Sequence, residues 1–152
     1  VNDLREAEKT IQLASIQVPY SMVYRSIEKD IIPYAMENNK GVIVYSPLQR
    51  GLLAGKIMPG HKFNKGDTRK GNPFYADENI KRVNAFLNQT KNATVGQLVI
   101  RWTLQQPGIT IALVGARNTD QAIENAAAAD IALSTTELEF INDELGKLEL
   151  VN

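Results

Sequence analysis

Residues 41–56 read GVIVYSPLQRGLLAGK. The first six, Gly41 to Ser46, are almost continuously apolar and β-branched, as expected of a strand covered on both faces of a parallel sheet. Pro47, Gly51 and Gly55 then break the pattern, so a turn follows the strand at once. Two further runs have the same character: Ile11 to Val18 (IQLASIQV) and Thr110 to Ala116 (TIALVGA). These three are the strand candidates.

The segments around them carry helical period. Ser134-Thr135-Thr136-Glu137 fits a capping box, in which hydroxyl and carboxylate satisfy the first orphan amides of a helix, and Leu138, Ile141, Leu145 and Leu148 continue on one face. Thr94 with Gln97 repeats the device ahead of Val95, Leu98, Val99 and Trp102, and Pro107-Gly108 closes that helix. Further helices are predicted at Asn2–Lys9, at Ser26–Asn38, around Ile80, Val83, Phe86 and Leu87, and over Asn118–Ala129. Pro33 lies past the first turn of the second of these and predicts a kink or a late start. Strands alternating with helices imply right-handed crossovers and a parallel α/β sheet. The first two strand starts, 30 residues apart, match a minimal βαβ repeat. Three strands make a thin sheet, and the aperiodic stretch from Gly55 to Tyr75 is long enough to be a functional loop.

Composition narrows the function classes. Lys plus Arg equals Asp plus Glu at 17 each in 152 residues, so no global field attracts nucleic acid or an anionic membrane, and neither is expected as a partner. The absence of cysteine removes disulfides, thiol nucleophiles and cysteine-ligated zinc. No apolar run approaches the length of a membrane span and no signal segment opens the chain, which leads to the expectation of a cytoplasmic protein. Residue 1 is Val, and the start reads as cut from a longer polypeptide.

Ligands of parallel α/β folds collect where strands end and helix N-termini begin. Tyr45 to Lys56 leaves the second strand there with an aromatic ring, a hydroxyl and exposed backbone; on local grounds it reads equally as a plain strand-to-loop turn. Gly115-Ala116-Arg117-Asn118 leaves the third strand and enters a helix bearing Gln121, Glu124 and Asn125. Small residues admit a close ligand, the helix start favours an anion, and Arg117 offers a planar guanidinium, although Asn118 as an ordinary cap beside a solvated Arg117 is the simpler reading. The long loop gathers Lys62, Lys65, Arg69 and Lys70 against Asp67, in the pattern of a basic clamp or of a merely solvated loop. Gln17, late in the first strand, is a candidate partner for a ligand amide, or is satisfied locally. His61, the single histidine, follows Pro59-Gly60 and is expected in solvent, neither a general base nor a metal ligand. Neither a G-x-G-x-x-G nor a phosphate-loop motif is present, and no nucleophile elbow.

Together the strings VIVYSPLQRGLLAGK, GDTR and LVGARNTDQAIEN resemble the C-terminal half of an aldo-keto reductase, a (β/α)8 TIM-barrel enzyme that reduces carbonyls with NADPH. The resemblance runs from about residue 2 to residue 148 and makes residues 1–152 one portion of a single barrel domain, with its sixth to eighth strands. It implies that Tyr45 stacks on the nicotinamide and that Gln17 holds the carboxamide. It also implies that Ser46, Leu48, Gly51, Lys56 and Arg69 straddle the pyrophosphate, that Gly115 and Arg117 take the 2′-phosphate, and that Gln121, Glu124 and Asn125 contact adenosine. Some family branches carry Lys-Ser where this chain has Gly115-Ala116, which shifts 2′-phosphate recognition onto Arg117. None of Tyr20, Tyr24, Tyr34, Tyr45 and Tyr75 occupies the family's catalytic motif, so no catalytic residue is expected here, and no metal ligand. The alternative implied is a cofactor-binding regulatory module like the β subunits of voltage-gated potassium channels. Part of a barrel is also expected to self-associate through open sheet edges and apolar inward faces, with Val42, Val44, Ile111 and Leu113 exposed in part.

Overall fold

The computed structural model describes residues 1–88 and 94–150. The elements run α1 (Asn2–Ala7), β1 (Ser15–Pro19), α2 (Ile31–Glu37), β2 (Gly41–Tyr45), α3 (Asp77–Leu87), α4 (Val95–Leu104), β3 (Ile111–Leu113), α5 (Thr119–Ala127) and α6 (Thr135–Gly146). Short 3-10 turns lie at Ser26–Glu28, Gln49–Ala54, Pro73–Tyr75 and Ala128–Asp130. The strands form one parallel sheet in the order β1-β2-β3, with Val18 opposite Val44 and Val44 opposite Ala112.

Parity along the strands decides what is covered. Successive side chains alternate between faces. Ile16, Val18, Val42, Val44 and Ala112 therefore share the face beneath the helices, and Val42 and Val44 are 0% exposed. The opposite face carries Gln17, Ile43 and Ile111 in one row and Pro19, Tyr45 and Leu113 in the next, and Ile111 and Leu113 remain 45% and 44% exposed. The expectation that all four apolar strand residues lie open thus holds only for the β3 pair. Val42 and Val44 are out of phase with Ile111 and Leu113 because Ile43 is the register partner of Ile111.

The first strand begins at Ser15 instead of Ile11, which sits exposed in the turn after α1. The third ends at Leu113, where its pairing with β2 stops. Pro33 has the effect expected of it: a 3-10 turn precedes a late α2, in which Pro33 falls in the first turn and its missing N–H is not needed. The Asp30 carboxylate caps that helix, accepting from the Ile31 N–H at 2.7 Å. Both capping boxes form, at Thr94/Gln97 and Ser134/Glu137.

Trp102 on α4 is fully buried and joins three elements. Its ring stacks on Tyr20 just beyond β1, with centroids 5.8 Å apart, and its Nε1 donates to Asn142 Oδ1 of α6 at 3.0 Å. The Arg25 guanidinium covers it 5.3 Å from the ring centroid. At the opposite end of the sheet Glu8 accepts from the Tyr34 hydroxyl and pairs with Lys40, tying the segment after α1 to α2 and the start of β2. The Lys40 ammonium, then Tyr34, holds the Glu8 carboxyl below its ordinary range.

Gly108, in the turn from α4 to β3, has φ +78°, and an added Cβ would lie 2.8 Å from Ile32 Cγ2. Gly66 is equally left-handed at φ +87°, with nothing within 4 Å. Gly108→Ala is expected to lower unfolding stability by roughly 2–4 kcal/mol and Gly66→Ala by only about 1 kcal/mol, since the second meets backbone strain without a clash. Urea unfolding midpoints at unchanged slope check this; equal losses would remove the steric explanation.

Candidate functional site

Where β2 ends, the backbone leaves the sheet through an unusual set of left-handed residues. Ser46, Gln49 and Arg50 have φ of 59°, 43° and 48°, and Gly51 has φ 95°. A non-glycine residue in that region costs on the order of 1 kcal/mol and persists only where its surroundings hold it. Here the surroundings are polar. The Tyr75 hydroxyl donates to the Gln49 carbonyl at 3.0 Å, buried Ser21 donates through Oγ to Gln49 Oε1 at 3.1 Å, and Arg69 Nη1 donates to the Arg50 carbonyl at 3.0 Å. Arg50 answers with Nη1 donating to Thr68 Oγ1 at 2.7 Å. Leu52 and Leu53, both fully buried, anchor the far side of the turn.

The clasp depends on one ion pair. Both Asp67 oxygens engage Arg69: Oδ1 accepts from its backbone N–H at 3.0 Å and from Nε at 2.9 Å, and Oδ2 from Nη2 at 2.6 Å. These hydrogen bonds pull the Asp67 carboxyl down to about 2. The Arg69 guanidinium also lies over the Phe63 ring, 4.8 Å from its centroid, and Phe63 packs edge-on to Tyr75.

Beyond β3, the Asn118 side chain caps α5 by accepting from the Gln121 N–H at 2.9 Å, while Gln121 Oε1 accepts from the Arg117 N–H at 2.9 Å. Asn125 Nδ2 donates to the Gly115 carbonyl at 3.3 Å. The polar ends of Gln121 and Asn125 thus shape the turn that presents Arg117, whose own guanidinium has no partner among the described residues. Gln97 Nε2 donates to the Glu124 carbonyl at 3.0 Å and ties α4 to α5.

These three segments line an open cavity of about 900 Å³. Of the residues singled out from sequence, Ser46, Leu48, Gly51, Lys56 and Arg69 line it on the β2 side, and Gly115, Arg117, Gln121, Glu124 and Asn125 on the β3 side. Gln17 and Tyr45 do not line it; both lie exposed on the open face of the sheet, where Tyr45 is the register partner of Leu113, itself a wall residue. The structure adds three wall elements that sequence reasoning missed: Arg50, His61, and the first turn of α4 at Thr94, Val95 and Gly96. The capping box was visible in Thr94 and Gln97, but no local signal shows that α4 starts against the same cavity as α5. The wall carries four permanent cations, Arg50, Lys56, Arg69 and Arg117, against one carboxylate, Glu124. With the N-terminus of α4 also on the wall, the cavity suits a ligand with clustered negative charge.

The model of the Aldo/keto reductase family matches residues 1–144. A Bacillus subtilis aldo-keto reductase, YhdN, is 35% identical over 116 residues, covering 72% of this chain and 35% of that protein. An Escherichia coli protein named NADH-specific methylglyoxal reductase is 31% identical over 152 residues, covering 96% of this chain and 46% of that one. Among solved structures, the glycerol dehydrogenase of Gluconobacter oxydans superposes with a TM-score of 0.87 at 31% identity, covering 97% of this chain and 46% of its own. The chain belongs to the aldo/keto reductase family, its fold is part of that family's barrel, and it spans less than half the length of these relatives.

The depressed Asp67 carboxyl contributes stability that is complete above the ordinary aspartate value of 3.8 and drains away as pH falls toward about 2. Amide-exchange protection at Arg69 is therefore expected to survive acidification to about pH 4 and to fade below it. In Asp67→Asn it is expected to be weak already at neutral pH; protection unchanged in that variant would show that the ion pair does not hold the loop.

Proposed function

We propose that this chain carries the dinucleotide-binding portion of an NADPH-dependent oxidoreductase that interconverts aldehydes or ketones with alcohols in the cytoplasm. The observation that carries the reading is the cationic cavity at the strand ends, whose walls contain ten of the twelve residues that the family resemblance nominates for the cofactor. A dinucleotide diphosphate matches what the walls offer. Lys56, Arg50 and Arg69 supply charge on the β2 side, and Ser46, Leu48 and Gly51 supply backbone and hydroxyl groups in a turn already held in place.

On the other side, the Arg117 guanidinium, without a partner among the described residues, suits a phosphate monoester, and Gly115 leaves open space. Gln121, Glu124 and Asn125 then face the nucleoside. Tyr45 and Gln17, on the open sheet face, are assigned to the nicotinamide ring and its carboxamide. The bound cofactor supplies the hydride. The resemblance assigns the proton to a residue outside this segment, and three of the segment's tyrosines are already committed. Tyr20 donates to Glu28 at 2.5 Å, with burial and that carboxylate pushing its hydroxyl well above the ordinary range. Tyr34 serves Glu8, and Tyr75 serves the Gln49 carbonyl.

Two measurements test the reading. Binding of 2′,5′-ADP is expected to weaken by about tenfold in Arg117→Met while 5′-ADP changes little, because one charge-assisted phosphate contact is lost. Equal loss for both ligands would move the 2′-phosphate away from Arg117. Absorbance of NADPH mixed with 4-nitrobenzaldehyde and the 152-residue chain alone is expected to stay constant, and turnover at rates typical of an intact enzyme would overturn the assignment of the proton donor to other residues.

A further inference from the structure

His61 lies on the partition between two hollows. It lines the 900 Å³ cavity, and it also lines an adjoining hollow of about 350 Å³ together with Lys62, Phe63, Arg69, Lys70 and Tyr75. Its backbone N–H donates to the Met58 carbonyl at 3.1 Å, and its ring meets Phe63 edge-on with centroids 4.7 Å apart. Phe63 is in turn held between the Arg69 guanidinium and Tyr75, so the imidazole, exposed to solvent as expected, rests on an ordered stack.

The charges around it are lopsided. Its own loop presents Lys62, Arg69 and Lys70, and the exit of β2 presents Arg50 and Lys56. Three carboxylates stand in the surroundings. Asp67 is near enough for its charge to be felt, but both of its oxygens are spent on Arg69. Asp77, at the start of α3, uses Oδ1 to accept from the Gly60 N–H at 2.8 Å. Glu124 lines the cavity from α5. A diphosphate in the cavity adds negative charge beside the imidazole, and histidine is the side chain that answers such a change by binding a proton between pH 5 and 8.

We propose that His61 is a ligand of the dinucleotide diphosphate in its imidazolium form, so that dinucleotide binding draws one solvent proton onto this ring. The inference rests on the dinucleotide reading above and adds to it a residue that neither motif nor resemblance nominates. By reciprocity, a site that gains a proton on binding binds more tightly where protons are abundant.

The test uses ADP-ribose, whose diphosphate keeps its charge throughout this range, whereas a 2′-phosphate monoester changes charge near pH 6 and would mask the effect. Calorimetric titrations in two buffers of different protonation enthalpy give the protons taken up. The protein is expected to take up a fraction of a proton at about pH 6.5 and to bind about fivefold more tightly at about pH 5.5 than at about pH 8. His61→Gln, shown to be folded by a circular dichroism spectrum like the parent's, should lose both the uptake and the pH dependence. A parent whose affinity is independent of pH, or a variant that still takes up protons, overturns the assignment of His61 while leaving the cavity's function intact. No binding of ADP-ribose at either pH overturns the dinucleotide reading together with it.

Discussion

Three parallel strands in register impose a parity on everything attached to them. Val18, Val44 and Ala112 stand side by side under the helices, so Pro19, Tyr45 and Leu113, one residue further on, must stand side by side on the other face. A slip of one residue in β2 would turn Val42 and Val44 out of the core and put Ile43 and Tyr45 into it. The same registration brings the exits of β2 and β3 next to each other, because Tyr45 and Leu113 are partners and both strands stop there. The cavity is the space those two neighbouring exits cannot help sharing.

Polar contacts organise that space, with the buried Leu52 and Leu53 as anchors. Gln49, Arg50 and Gly51 are held left-handed by Tyr75, Ser21 and Arg69, which come from after β1 and from the far end of the long loop. Arg69 is the joint, since its guanidinium donates two hydrogen bonds to the Asp67 carboxylate and one to the Arg50 carbonyl. A turn fixed in this way presents its backbone and cations before a ligand arrives, so less ordering remains to be done on binding. The β3 side uses the same economy, with Asn118, Gln121 and Asn125 shaping the turn that carries Arg117.

The open face of the sheet carries Tyr45, Ile111 and Leu113 as exposed apolar residues, next to Gln17 and Ile43. Among the described residues β1 and β3 each keep one unpaired edge. Uncovered apolar surface of this kind is where sheets gain partners. The relatives are more than twice as long as the segment they share with this chain, and in them the fold is a barrel.

Much of this was legible in the residues themselves. Capping boxes at Thr94 and Ser134 are local chemistry, complete within four residues, and both form. The strand at Gly41–Tyr45 announced itself through an unbroken β-branched run, and small residues and cations placed just past strand ends pointed to a ligand site, which the family resemblance assigns to a cofactor. Strand limits were not legible, because Ile11 is as apolar as Ile16 and only pairing distinguishes them. Nor was the fate of Val44 as against Leu113, which the register settles by pairing Ile43 with Ile111. The arrival of Arg50, His61 and the α4 N-terminus at one cavity depends on crossovers tens of residues long. Local sequence thus determined the elements and the kind of chemistry at their ends, since propensity, capping and charge act over a few residues. Which ends meet, and which faces are covered, is a matter of long-range pairing that only the folded chain can decide.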